Sequence, residues 1–273
     1  MKKLLDFIVF SNLLIAFAAM AMLLLSQYIL GVDMAINADG IFLFLSTYLV
    51  YNYLRFSSLN HVIPDKAGIL LQWISRHLKF VRITTFAAAL GVFCIAVYFL
   101  FNSLSSILVF GLGAVLSSAY LFPLTRESKS NLRSLPFLKT FIVAITWAVV
   151  TVLPVSSFTD PGTVELLFGR FFFIWAITLP FDIRDIDYDN KEKLTTVVGQ
   201  IGIPKTKLLS FSFLIISAFF HYSTFNSLFP IVVSIAIPAL IISRLDHQSS
   251  EYWYTLGLDS TMIIQLLVFL SFS

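Results

Sequence analysis

The stretch FDIRDIDYDNKEKLTT, residues 181–196, follows the apolar run FFFIWAITLP and places four aspartates and one arginine within nine residues. On a helix, Asp182, Asp185 and Asp189 are spaced i, i+3 and i+7 and fall within about 60° of one another on one face. Asp187 and Arg184 point elsewhere on that wheel. Three carboxylates on one stripe repel each other unless a cation lies between them. Oxygen-only ligands suit a hard ion such as Mg²⁺, which keeps several waters and bridges carboxylates to a substrate phosphate. The chemistry this predicts is a Mg²⁺–diphosphate site at the end of an apolar helix. The alternative is a charged exit loop with no further role. Two features weigh against it: Asp182 directly continues the apolar run, where an ionisable residue marks a functional site by default, and acidic residues are not what the positive-inside rule asks of a loop.

The elements that must carry this stripe follow from composition. The chain has 273 residues, 58% of them hydrophobic and 12% charged, with a mean hydropathy of +0.90. That charged fraction is about half the usual value for a soluble domain. Apolar runs long enough to cross a bilayer recur from end to end. Nine are expected, at about 7–30, 40–57, 82–101, 104–122, 138–156, 165–182, 207–225, 227–243 and 255–272. All should be helical, since lipid offers backbone groups no other partner. The fold class expected is therefore all-α, a single polytopic bundle of nine transmembrane helices. The first run is too long for a signal peptide and shows no small-residue cleavage site, so it reads as a span.

The basic residues sort by side. Lys2 and Lys3, the group Lys66 to Arg82, the group Arg126 to Lys139, the group Arg184 to Lys207, and Arg244 fall in alternate joints. The intervening joints carry only Asp33, Asp39, Asp160 and Glu165, with Arg170 inside the sixth run. The positive-inside rule then predicts a multi-pass protein of the cell (inner) membrane, N-terminus cytoplasmic and C-terminus outside. The single cysteine, Cys94, excludes an intramolecular disulfide and a cysteine metal site. The four histidines show no metal-ligand spacing, and a net charge of +3 does not suggest nucleic-acid binding.

DIRDIDYDNKEKLTTVVGQIG resembles the second aspartate-rich motif of the UbiA-type membrane prenyltransferases, in the RDIxxDxxxxxxT form of the menaquinone-pathway branch. Nine spans with a cytoplasmic N-terminus, and a motif between spans six and seven, are also what that superfamily shows. SAYLFPLTRESKSNLRSLPFLKTFIVAITWAVVTVLP is a weaker likeness to the family's Tyr–Pro–basic segment after span four. The resemblance implies transfer of a prenyl group from a polyprenyl diphosphate to a lipophilic acceptor, aromatic or quinone-precursor in kind, with Mg²⁺ assisting departure of the diphosphate. It assigns Asp182, Asp185 and Asp189 to the metal. Tyr120, Arg126, Arg133, Lys139, Lys191 and Lys193 are implied near the diphosphate; the alternative for the basic ones is contact with lipid headgroups.

The family's first motif, N-D-x-x-D-x-x-x-D, falls on YNYLRFSSLN. Asn52 matches, but the aspartate positions hold Tyr53, Phe56 and Asn60, and no carboxylate lies between Gly40 and Pro64. Arg55 stands in this region instead, near the helical face of Asn52. Either it contacts phosphate directly and bidentately, or it snorkels to the interface and pairs with lipid or a span-six aspartate. Asn52 and Arg55 are expected to face the aspartate stripe. The loss of the first motif also supports a second expectation: a catalytically silent relative that binds an isoprenoid lipid or a membrane partner.

Overall fold

A computed structural model describes residues 2–59, 68–121, 137–191 and 196–272, without the side chains of residues 2, 120, 121 and 187–191. The described residues are helical, with no strand. In chain order the helices are α1 (Lys2–Phe10), α2 (Leu13–Ile29), α3 (Ala38–Leu59), α4 (Ile69–Arg76), α5 (Leu78–Asn102), α6 (Leu104–Leu121), α7 (Leu138–Val152), α8 (Thr163–Thr178), α9 (Phe181–Lys191), α10 (Val197–Phe225), α11 (Leu228–Arg244) and α12 (Asp259–Ser271). A π-helical turn, Trp253–Leu258, runs directly into α12.

By length and composition, four helical stretches among the described residues suffice to cross a membrane: α5, α8 continued into α9 as far as Ile186, α10, and the π turn with α12. The bent pair α1–α2 makes a fifth if it is one span, and α6, α7 and α11 are apolar but shorter. This set is consistent with a membrane protein and is smaller than the nine expected crossings. The shortfall has local causes. α3 carries the 40–57 run but is diluted by Asn52, Arg55 and several hydroxyl residues. The first run is not one straight helix: its two halves meet at 62°.

That bend is built by two asparagines. Asn12 adopts the left-handed conformation, φ 64°, which asparagine tolerates better than most residues. Its side-chain amide donates to Asn52 Oδ1 at 2.9 Å, and Asn52 Nδ2 donates to the Tyr48 carbonyl at 3.0 Å and to the Ser11 carbonyl at 3.4 Å. α10 begins ten residues before the expected span, at Val197, and breaks at Gly202, whose φ of 78° a side chain would oppose. Pro204 follows that break, where a missing N–H does no harm.

The main core joins α2, α7, α8, α10 and α12. α8 packs on α7 and α10, and α2 on α3 and α12. At its centre Arg170 is fully buried, donating from Nη1 to the Met22 carbonyl (2.8 Å) and Thr151 Oγ1 (3.1 Å), and from Nη2 to Ser26 Oγ (3.2 Å). α5 instead turns large apolar side chains outward, with Phe86 73% and Phe101 83% exposed. A helix apolar all round that leaves such residues uncovered is fitted to lipid.

Candidate functional site

The ends of successive helices determine where charge collects. With α2, α3, α5, α6, α7 and α8 alternating in direction, the end of α3, the start of α7, the α8–α9 junction and the start of α12 come to one side of the bundle. Contacts tie these ends together. Glu251 Oε2 accepts from the Leu70 amide at 2.8 Å, capping α4, and Lys207 Nζ donates to the Ser243 carbonyl at 3.0 Å. The Tyr252 hydroxyl donates to Asp6 Oδ1 of α1. Burial, and next that hydrogen bond, push the Tyr252 phenol up to about 12, so it remains a donor at neutral pH.

Between these ends lies a cavity of about 180 Å³. Its charged wall is Arg55 from α3, Lys139 from α7, Arg184 and Asp185 from α9, and Asp259 from α12. Its apolar wall comes from deeper positions on α3, α7, α8 and α12, including Tyr51, Trp147, Ile174 and Met262. Tyr51 and Trp147 also line a second, largely apolar cavity of about 270 Å³ between α2, α3, α5, α6 and α7.

Asp182 and Asp185 do converge, as i and i+3 on α9 require. Lys139 Nζ is 2.8 Å from Asp182 Oδ1 and 3.9 Å from Asp185 Oδ2. Asp182 is 2% exposed and lies behind the cavity wall, whereas Asp185 is on it. Asp185 is also held by its neighbour: Arg184 Nε donates to Oδ1 at 2.8 Å and Nη2 to Oδ2 at 3.2 Å. The guanidinium of Arg184 stands 5.0 Å from the Phe181 ring centroid and 5.8 Å from that of Tyr254. The helical wheel sends Arg184 away from the stripe, yet its side chain curls back to the site. A wheel fixes the Cβ direction, and a long side chain ends well away from it.

The other expected residues divide. Arg55 faces the cavity and its Nε is buried with no hydrogen-bond partner. Asn52 is fully buried and its amide holds the α1–α2 bend, so it supports the site from behind rather than lining it. Tyr120 lies on α6 and Asp189 and Lys191 on α9, with side chains outside the described residues; Arg126, Arg133 and Lys193 lie outside them altogether. Asp259, which the sequence reading passes over, is the added carboxylate. The available signal was its isolation inside the ninth apolar run. It starts α12 directly after the π turn, a distortion that recurs at functional sites.

As a metal cage, the described donors fit poorly. Only Asp182 and Asp185 meet at one point, that point is taken by the Lys139 ammonium, and Asp185 is clasped by Arg184 as well. As an anion site the same wall fits better, with three cations against two carboxylates. No protein-family model matches the chain, and neither a curated protein nor a solved structure is similar to it.

Proposed function

We propose that the protein is a membrane prenyltransferase of the UbiA type, moving a prenyl group from a polyprenyl diphosphate to a lipophilic acceptor, aromatic or quinone-precursor in kind. In this reading the chain crosses the cell membrane nine times from a cytoplasmic N-terminus, and the charged helix ends face the cytoplasm. The observation that carries it is the two-sided cavity: cationic side chains at the helix ends, and an apolar, aromatic wall one or two turns deeper. A diphosphate head and an isoprenoid tail need that arrangement.

The steps follow from these walls. Arg55, Lys139 and Arg184 receive the diphosphate and stabilise the charge it gains as the allylic C–O bond breaks and the electron pair leaves with oxygen. Trp147 and Tyr51 line the same cavity and are the aromatic groups available to the allylic cation left behind. The apolar wall keeps water from capturing it. The acceptor's nucleophilic atom then bonds to the allylic carbon, and Asp259 is placed to take the proton it releases. Mg²⁺, which the resemblance implies at Asp182, Asp185 and Asp189, would supply further charge neutralisation; no step here depends on it.

The test is turnover of prenyl diphosphates by membranes that contain the protein. Wild type should release diphosphate and prenylate an added aromatic acceptor, and Arg184→Gln should reduce this by about two orders of magnitude. Full activity in Arg184→Gln would refute the assignment. The absence of carboxylates at positions 53, 56 and 60 supports a second reading, a silent relative that binds an isoprenoid lipid or a membrane partner. Binding of a prenyl diphosphate without turnover of any acceptor would favour it.

A further inference from the structure

We infer that the cavity binds its phosphate-headed lipid with the protein's own cations and without a divalent metal, an inference that rests on the prenyl-diphosphate reading of the same cavity. Three observations converge on it. First, the two carboxylates that meet on α9 already have partners: Asp182 and Asp185 share Lys139, and Asp185 is clasped by Arg184. A divalent ion entering there must displace an ammonium and break a two-point guanidinium contact. Second, Arg55 lines the cavity from α3, a helix with no carboxylate between Gly40 and its end at Leu59. Its Nε is buried and makes no hydrogen bond. A buried N–H of a charged group left unmet is costly, and an entering phosphate oxygen satisfies it. Third, the cations come from three elements, α3, α7 and α9, so they can surround a diphosphate instead of touching one edge of it.

The carboxylates then have a different task from metal binding. Asp182 and Asp185 hold Lys139 and Arg184 in place, so that two flexible cations are set before the ligand arrives. Guanidinium groups suit this better than ammonium, since their planar forks match two phosphate oxygens at once.

The experiment uses the full chain in lipid nanodiscs and farnesyl S-thiolodiphosphate, an analogue that does not ionise. Binding is measured in Mg²⁺ and again in EDTA. The affinities should agree within about twofold, Arg55→Met should weaken binding about tenfold or more in both buffers, and Arg55→Lys should fall between. Arg55→Lys keeps the charge in place, so its intermediate affinity separates phosphate recognition from misfolding. Binding that vanishes in EDTA and returns with Mg²⁺ overturns the inference, as does wild-type affinity in Arg55→Met. Inorganic diphosphate and phosphatidylglycerol serve as competitors. Displacement by phosphatidylglycerol at equal affinity upholds the metal-free cation site and overturns prenyl transfer. If neither the analogue nor the phospholipid binds, both fall.

Discussion

Two arginines among the described residues carry a buried Nε without a hydrogen-bond partner, and they differ in what their other nitrogens do and in what lies beside them. Arg170 is fully buried between α2, α7 and α8, with Nη1 and Nη2 held by a carbonyl and two hydroxyls. Those hydroxyls are themselves anchored, Ser26 to the Met22 carbonyl and Thr151 to the Trp147 carbonyl. The Arg170 Nε is unmet, like that of Arg55, but Arg170 stands on the wall of neither cavity. Arg55 stands on a cavity wall with Nε unmet, beside Arg184 and Asp185. One guanidinium joins helices; in the proposed reading the other receives a phosphate. Burial alone therefore does not identify a functional charge, and the number of bonds already made is the better guide.

Four substitutions probe this contrast, and their effects on stability should fall in order. Arg170→Ala removes three hydrogen bonds and leaves a void in the core, at about 3–5 kcal/mol, read as a large drop in melting temperature in nanodiscs. A small drop would mean that its neighbours do not depend on it. Asn52→Ala releases the α1–α2 bend and should cost about 2–3 kcal/mol, while analogue affinity per folded molecule stays within about threefold. A selective loss of affinity would return Asn52 to the site wall. Gly169→Ala puts a Cβ 2.7 Å from His221 Nδ1. His221 is pinned by the Ser217 carbonyl at 2.9 Å, so α8 and α10 must part, costing about 1–3 kcal/mol by thermal denaturation. Arg55→Met should change stability by under about 1 kcal/mol, since it breaks no hydrogen bond, yet it should show the largest loss of ligand affinity of the four.

What could be read from the sequence, and what could not, divides along physical lines. The helical class followed from apolar run lengths, and the meeting of Asp182 with Asp185 followed from a three-residue spacing that any α-helix enforces. Lys139, at the start of α7, was reachable only through the family resemblance. Arg184 was misdirected because periodicity describes Cβ positions and not the ends of long side chains. Asn52 looked like a site residue from one matching letter; only the fold reveals that Asn12, forty positions earlier, takes up its amide. The bend at Asn12 has no proline or glycine to announce it. The start of α10 was placed too late because Gly202 and Pro204 resemble a loop, whereas helix resumes on both sides of them.

The π turn before α12 has a consequence for inheritance as well as for shape. A wide turn of this kind holds one residue more than α-helical winding would, so everything after it is rotated by about 100° relative to a continuous helix. Asp259 follows that turn directly and lines the cavity. Deleting one position within 253–258 should rotate Asp259 by about 100° relative to Glu251 and Tyr252, while leaving composition, length and hydropathy nearly untouched. A single-codon deletion in this segment therefore tests a geometry that a substitution scan of the same stretch leaves in place.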